Sequence, residues 1–294
     1  MKTGCFIYSD SEKYDKLQEC AVKSFKKFHP DIDVFTYTSS NTEFKEIKKI
    51  ASGYKKFLFA RQVALQYGIE KIIILGADTI TCSRLDEFIN NNEADILTTL
   101  DYPYELFLQS VPCDQVAKGV AFSISHLSLS FSKDDHVNAD VVCFNNIKAL
   151  EDVLNCNKWM CNLYFEQAAL NYVCNIQNKH TSFIVDGNYE NSNVVYNVRA
   201  KGNTTASEGE RPWFKYTSLF KVYNNKLHTN THEYCSKSKQ IKVWHYCDGL
   251  GNLPKEHFES IINDWIEKGF NQETKDFFTN ECDCGDFFKQ KFTI

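Results

Sequence analysis

The chain has no long hydrophobic run. None of its apolar stretches approaches the roughly 18–20 residues that cross a bilayer, which argues against a transmembrane segment. It has no basic excess either: a net charge of −5 and a pI near 5.9 give no electrostatic case for nucleic acid. The start, Met1-Lys2-Thr3-Gly4 followed by Cys5-Phe6-Ile7-Tyr8, lacks the extended apolar core of a secretion signal and reads as a first strand, so a cytoplasmic location is expected. A Gly-x-Gly-x-x-Gly turn and a Walker glycine loop are both missing, and a dinucleotide fold and a P-loop enzyme lose weight accordingly. Cysteine is plentiful, at 12 residues, but zinc spacing is absent. Cys282-Asp283-Cys284 is a close pair with no second pair or His at zinc-finger distance. Without an export signal the thiols are expected to be reduced and mostly buried. There is no internal repeat and no linker that divides the chain.

What is present fits a single α/β domain. At 294 residues, 43% hydrophobic and 24% charged, the chain is long enough to bury a full core. Its organising stretch is Lys71-Ile72-Ile73-Ile74-Leu75-Gly76-Ala77-Asp78-Thr79. An Ile-rich run of this length suits a strand buried on both faces of a parallel sheet. Ligands of such sheets bind beyond the carboxyl ends of the strands, where Asp78 is suited to hold a metal or a sugar hydroxyl. The plainer reading is that Asp78 opens a turn or caps a short helix from Ser83 to Phe88.

Around that strand, residues 4–37 read as a β-α-β unit. Gly4 to Tyr8 is a strand, Ser9 and Glu12 have capping-box spacing, Tyr14, Leu17, Ala21, Phe25 and Phe28 recur at helical spacing, and His29-Pro30 ends the helix. Ile32 to Tyr37 is a second strand. Helices are expected around Phe44, Ile47 and Ile50, and around Phe57, Val63, Ala64 and Tyr67, the latter closed by Gly68. Strands follow at Asp95–Leu100 and Ala139–Phe144, then helices at Ile147–Leu154 and Tyr164–Val173, and strands at Phe183–Val185 and Ile241–Trp244. The stretch 200–211 reads as a mobile loop, and Phe258, Ile261, Ile262, Trp265 and Ile266 stripe a C-terminal helix. Strands alternating with helices predict a largely parallel sheet. The polar turn after the first strand, Ile7-Tyr8-Ser9, sits where many such folds take a nucleotide.

Several stretches, in this order, resemble the GT-A glycosyltransferases of family eight, the glycogenin and lipopolysaccharide-galactosyltransferase type, including short forms from large DNA viruses and bacteria. Leu75-Gly76-Ala77-Asp78-Thr79 resembles that family's strand ending in Asp-x-Asp-Thr. Asn138-Ala139-Asp140-Val141-Val142-Cys143-Phe144-Asn145 resembles its Asn-(Ala/Ser)-Gly-Val-x-x-(Phe/Ile)-Asn strand. Glu166-Gln167-Ala168-Ala169-Leu170-Asn171 resembles its Asp-Gln-x-x-Leu-Asn helix, and Val243-Trp244-His245-Tyr246 its late strand with a metal-binding His. Arg61 sits where the family has an Arg near the donor, and Tyr196-Asn197 where it has a Tyr-Asn in the acceptor half.

The resemblance implies a Rossmann-like mixed sheet in one GT-A domain over 1–294. Residues 1–146 would form a nucleotide-sugar half, 147–250 an acceptor half and 251–294 a helical tail. It implies transfer of a sugar, with retention, from a nucleotide sugar such as a UDP-sugar to a hydroxyl of a glycan or glycoconjugate. Asp78 and His245 would hold Mn²⁺ or Mg²⁺. Ile7, Tyr8, Ser9, Arg61, Gly76, Ala77, Asp78, Asn138 and Lys255 would line the donor. Asp140, Glu166 and Gln167 would do the chemistry. A departing diphosphate needs a cation, basic side chains or helix N-termini to take its charge.

The chain departs from the pattern at two places. Gly76 stands where the family has its first Asp, which predicts a metal bound weakly, through Asp78 and His245 alone, or not at all. Asp140 stands where it usually has Gly. Plainer readings stay open: Asn138 and Asn145 as strand-end hydrogen bonders, Glu166 as a solvated helix residue, His245 as a core histidine, Arg61 as a surface residue. So does a non-catalytic module that binds a nucleotide sugar or glycan on the same fold. A sugar-nucleotide pyrophosphorylase would want a Gly-x-Gly-Thr-Arg loop where Tyr8-Ser9-Asp10-Ser11 stands.

Overall fold

A computed structural model of the chain describes residues 1–9, 12–38, 52–100, 137–157, 165–175, 177, 179–186, 194–196, 198–199, 220–223, 226–229 and 240–245. The helix expected around Ile47, the loop 200–211, Asn197, Lys255, the Cys282/Cys284 pair and the C-terminal helix lie outside these residues.

The Ile-rich run forms strand β3 (Lys71–Gly76), and Ile72 to Leu75 are completely buried. Burying such a side chain contributes about 1.5–3 kcal/mol. β3 lies inside a sheet of order β2-β1-β3-β6-β5-β7, built from β1 (Thr3–Tyr8), β2 (Asp33–Tyr37), β5 (Ile96–Leu100), β6 (Val137–Phe144) and β7 (Ser182–Ile184). β1 runs parallel to β2 and β3, and β5 parallel to β7, while β6 runs antiparallel to both β3 and β5. The expectation of a largely parallel sheet holds except at this reversed strand.

Alternate residues of β3 feed two cores. Ile72 and Ile74 pack with Phe57 and Ala60 of α2 (Ser52–Tyr67), Leu150 of α4 (Ile147–Asn157) and Leu170 of α5 (Phe165–Asn175). Ile73 and Leu75 pack with Ala21 and Phe25 of α1 (Glu12–Phe28) and Phe88 of α3 (Asp86–Asn90). Gly68, at a φ of 63°, closes α2 in the left-handed region that glycine tolerates. The helix expected from Ser83 begins later, at Asp86. The residues before it are tied down instead: Arg84 O accepts from Lys242 Nζ and Leu85 N donates to His29. Ser9 donates its hydroxyl to Asp15 Oδ1 at 2.7 Å, a partner one turn beyond the expected capping Glu12. Among the described residues no helix is long and apolar enough to cross a membrane. The described cysteines other than Cys20 are free thiols, and those five are buried.

Immediately after β3, a turn at 77–78 leads into β4 (Thr79–Thr81), which the sequence reading did not anticipate. Only three residues long, β4 carries too little pattern to be read. It pairs antiparallel with β13 (Val243–His245), which also pairs parallel with β9 (Val198–Arg199). The strand expected over Ile241–Trp244 is split by a bend at Lys242 into β12 (Gln240–Ile241) and β13. β12 joins a second small sheet with β8 (Val194–Val195), β10 (Phe220–Tyr223) and β11 (Lys226–Thr229).

His29, at the end of α1, is fully buried and accepts a bond from Leu85 N at Nε2, 3.1 Å away, which requires the neutral ring. Burial, helped by the nearby Arg84, pushes its pKa from 6.5 down to about 4. The unfolded chain therefore binds the proton first. His29 contributes full stability above about pH 6.5 and loses it as pH falls towards 4, by up to roughly 3 kcal/mol. Denaturant titrations across pH 4 to 7 should show a steeper acid loss for wild type than for His29→Gln; equal slopes would contradict the assignment.

Candidate active site

The carboxyl ends of β1 and β3 meet at one edge of the sheet, with Tyr8 in register with Gly76. Ile7 is core, and its carbonyl accepts from Gln18 Nε2 at 2.8 Å, so β1 offers this edge Tyr8 and Ser9. Tyr8 joins an aromatic group with Tyr37 and Phe59, whose own rings stack with centroids 4.0 Å apart.

Asp78 sits in the turn after β3, and the β4–β13 register sets His245 opposite Thr79, next to it. His245 Nε2 consequently lies 3.2 Å from Asp78 Oδ1, although the two are far apart in sequence. His245 is almost wholly buried and Asp78 mostly so. The second acid arrives from β6. Leu75 pairs with Val141, so Asp140 faces Gly76 across the antiparallel ladder. A Cβ on Gly76 would lie 2.9 Å from Asp78 Oδ1 and 3.3 Å from Asp140 Cβ. The two departures from the family pattern are thus one feature. A side chain is missing from β3 at the point where an acid enters from the facing strand. Asp140 Oδ2 lies 3.8 Å from His245 Nε2.

β6 reaches this position through an irregularity. Val137 and Ala139 face the α2/α4/α5 core, yet so do Val142 and Phe144, and the β5–β6 register shifts between Leu97 and Thr99. Asn138 spans the irregularity: its Oδ1 accepts from Asp140 N at 2.8 Å and its Nδ2 faces Gln167 Oε1 at 3.4 Å. Asn171, one turn beyond Gln167, brackets Val137 through both its N and its O at 2.9 and 2.8 Å. Two of the resembling motifs therefore interlock with each other. Asn145 follows its plainer reading and donates to Asn91 O and Ala94 O.

Glu166, on the first turn of α5, faces the first turn of α2, where a Cβ on Gly53 would fall 2.0 Å from its Cδ. Gly53 makes room for that carboxylate. Lys56, one turn further along α2, brings a cation to the cluster. Its Nζ is ion-paired with Asp140 Oδ1, and its side chain is 5% exposed. Burial works against the ammonium, but Asp140, Glu166 and Asp78 more than offset it and raise its pKa. Lys56 therefore stays charged across the physiological range.

Arg61, expected near the donor, turns elsewhere and pairs with Glu151 of α4, Nε to Oε1 at 2.7 Å. Five residues along a helix rotate a side chain by roughly 140° relative to Lys56, so one residue faces the cluster and the other does not. The signal for Lys56 was available as charge: Asp78, Asp140 and Glu166 assigned to one site require a cation beside them. Tyr196 is buried against α3, where its hydroxyl contacts the Glu87 carboxylate, so it braces that helix.

The Asp78–His245 pair fits a divalent ion. Two ligand atoms about 2.1 Å from an octahedral ion lie about 3.0 Å apart when adjacent and about 4.2 Å when opposite. The observed 3.2 Å suits adjacent ligands. Among the described residues no group of three or more His, Cys, Asp or Glu is arranged to hold a metal. Asp78 and His245 would leave most positions to other ligands.

No protein-family model matches the chain, and no curated protein matches it. Solved structures do. The bifunctional glycosyltransferase WbbM, in its apo form, superposes over 95% of this chain with a TM-score of 0.51 at 13% identity. The chain spans about half, 51%, of WbbM's length. A glycosyltransferase involved in the glycosylation of the major capsid of PBCV-1 covers 88% at a TM-score of 0.44 and 12% identity. An active-site mutant of LgtC covers 88% at 0.41 and 13%. Those two chains are themselves covered over 99% and 95% of their lengths. The mixed sheet with its reversed β6, flanked by helices, is the GT-A fold of the WbbM match.

Burial raises the pKa of Glu166, and Asp140 adds to this, while Lys56 pulls the other way. The folded state thus holds the proton more tightly than the unfolded chain. The resulting penalty sets in as pH rises past 4.5 and is complete above the folded-state pKa. Glu166→Gln should therefore match or exceed wild type in thermal stability at pH 7. A clear drop in Tm would show that the ionised carboxylate supports the fold.

Proposed function

We propose that the chain is a glycosyltransferase that moves a sugar from a nucleotide sugar, a UDP-sugar, to a hydroxyl of a glycan or glycoconjugate in the cytoplasm. The observation that carries this reading is the Asp78–His245 pair at the carboxyl edge of a GT-A sheet, 3.2 Å apart and assembled from two elements remote in sequence. A histidine that only filled the core would not need a carboxylate within hydrogen-bond reach at the ligand-binding edge. Manganese, which His in the ligand set favours over magnesium, would supply charge to the departing diphosphate.

In this reading the protein's own groups divide the work. Asp78 and His245 hold the ion. Tyr8 and Ser9, both buried, would bring the end of β1 to the nucleotide, beside Gly76 and Ala77. Asn138 and Gln167, already coupled to each other, offer neutral hydrogen-bonding groups to the sugar hydroxyls. Asp140 and Glu166 place negative charge near the anomeric carbon, where an oxocarbenium-like transition state develops positive charge, and transfer with retention asks for no strong base on the acceptor. Gly76 takes a ligand away from the ion, so the nucleotide's phosphates would complete its coordination. Lys255 belongs to the resemblance alone, and Arg61 is committed to Glu151.

The second reading, a module that binds without catalysis, draws support from Gly76. Turnover separates the two. Asp78→Ala should keep the fold and lower transfer by about 10²–10³, the cost of about 2.7–4 kcal/mol of lost transition-state stabilisation. Near wild-type turnover would sink the site assignment. Calorimetric titration of Mn²⁺ should show weak binding to the free protein and much tighter binding with UDP present. Equally tight binding without UDP would contradict a site completed by the nucleotide.

A further inference from the structure

The third acid at this site is within reach of the metal pair yet committed elsewhere. Asp140 Oδ2 lies 3.8 Å from His245 Nε2, between the about 3.0 Å of adjacent and the about 4.2 Å of opposite ligands of an octahedral ion, so the carboxylate would have to shift to join the ion. Its other oxygen, Oδ1, is ion-paired with Lys56. Lys56 is buried on α2, with Glu166 and Asp78 also close enough to act on it, so its ammonium is a fixed feature of the site. We infer that Lys56 is a built-in cation that holds Asp140 as a latent third ligand and thereby sets how strongly this site takes a divalent ion before the nucleotide arrives.

Lys56 and an incoming divalent ion compete for one carboxylate. An ammonium and a divalent ion on the same side chain repel each other, and the nearer the two, the larger the penalty. The acid that enters opposite Gly76 thus restores a carboxylate in space without restoring a free ligand. Lys56 weakens the pull of Asp140 on an incoming divalent ion without cancelling its charge. An ion that binds with the nucleotide brings phosphate oxygens of its own and does not need Asp140. Lys56 is accordingly a positioning residue: it acts on the ion through Asp140 and helps make metal and nucleotide bind together.

The inference rests on the metal-assisted reading above, and its test uses binding rather than turnover. Mn²⁺ affinity is read by the electron paramagnetic resonance signal of free Mn²⁺ during titration of the full chain, with and without UDP. Lys56→Met is compared with wild type and with the charge-neutral pair Lys56→Met plus Asp140→Asn. Lys56→Met, which removes the ammonium from Asp140, should bind Mn²⁺ without nucleotide about tenfold or more tightly than wild type, and UDP should add less to it. The double variant should return to wild-type affinity. No gain in folded Lys56→Met overturns the inference. Should Lys56→Met fail to fold, the double variant decides alone. Wild-type Mn²⁺ affinity in the presence of UDP supports a latent Asp140, and a loss of about tenfold shows Asp140 already ligating and overturns it. Absence of Mn²⁺ binding in every variant, with and without UDP, also overturns it. Sugar transfer measured in a chelator would then still stand or fall on its own.

Discussion

Three carboxylates converge at the carboxyl edge of this sheet, and the fold has to meet the cost of bringing them together. Asp78 comes from the turn after β3, Asp140 from β6 and Glu166 from α5. Without a cation their mutual repulsion in a half-buried site would favour protonation or rearrangement. Lys56 supplies the charge, and its position depends on the rest of the architecture. α2 must lie over the β1–β3–β6 face, Gly53 must let Glu166 approach, and Gly76 must leave space where Asp140 crosses. The arrangement is at once the electrostatic keystone of the site and the reason for its two glycines.

The second constraint is the strand pair β4–β13. It is short, yet it carries His245 from late in the chain to the side of Asp78. Antiparallel pairing fixes which residue stands opposite which, and a slip of one residue would turn His245 to the other face. A site distributed over a turn, two strands and two helices is held to shape by backbone pairing and by the interlocked Asn138–Gln167 and Asn171–Val137 bonds. The members of the site therefore hold their positions without any side chain at Gly76.

The most legible parts of the chain were those with a strong local pattern. The buried run of β3, the helical spacing of α1 and the Gly68 stop all follow from burial period and backbone sterics, which act over a few residues. Asp78 was singled out by its place after the run and His245 by its resemblance to a late family strand, and the structure sets the two side by side. The reversed direction of β6 was not legible, because a buried aliphatic strand looks the same in either direction. β4 is too short to show a period. Arg61 was expected at the donor because its position along the chain is right; which face of α2 meets the site is a tertiary fact, and it selected Lys56. The pairing of Gly76 with Asp140 was visible as two separate departures and became one only when the β3–β6 register put them opposite each other.

The proposed sugar transfer requires that this edge of the sheet turn a donor over and not merely bind it. The most direct measurement is the release of free nucleoside diphosphate from a panel of nucleotide sugars by the purified chain, with thermal shift recorded on the same panel. At least one UDP-sugar should both stabilise the protein and be consumed, with UDP appearing as product. A nucleotide sugar that stabilises the protein but is never turned over, across acceptors and with Mn²⁺ supplied, would contradict it and leave a binding module on a GT-A fold.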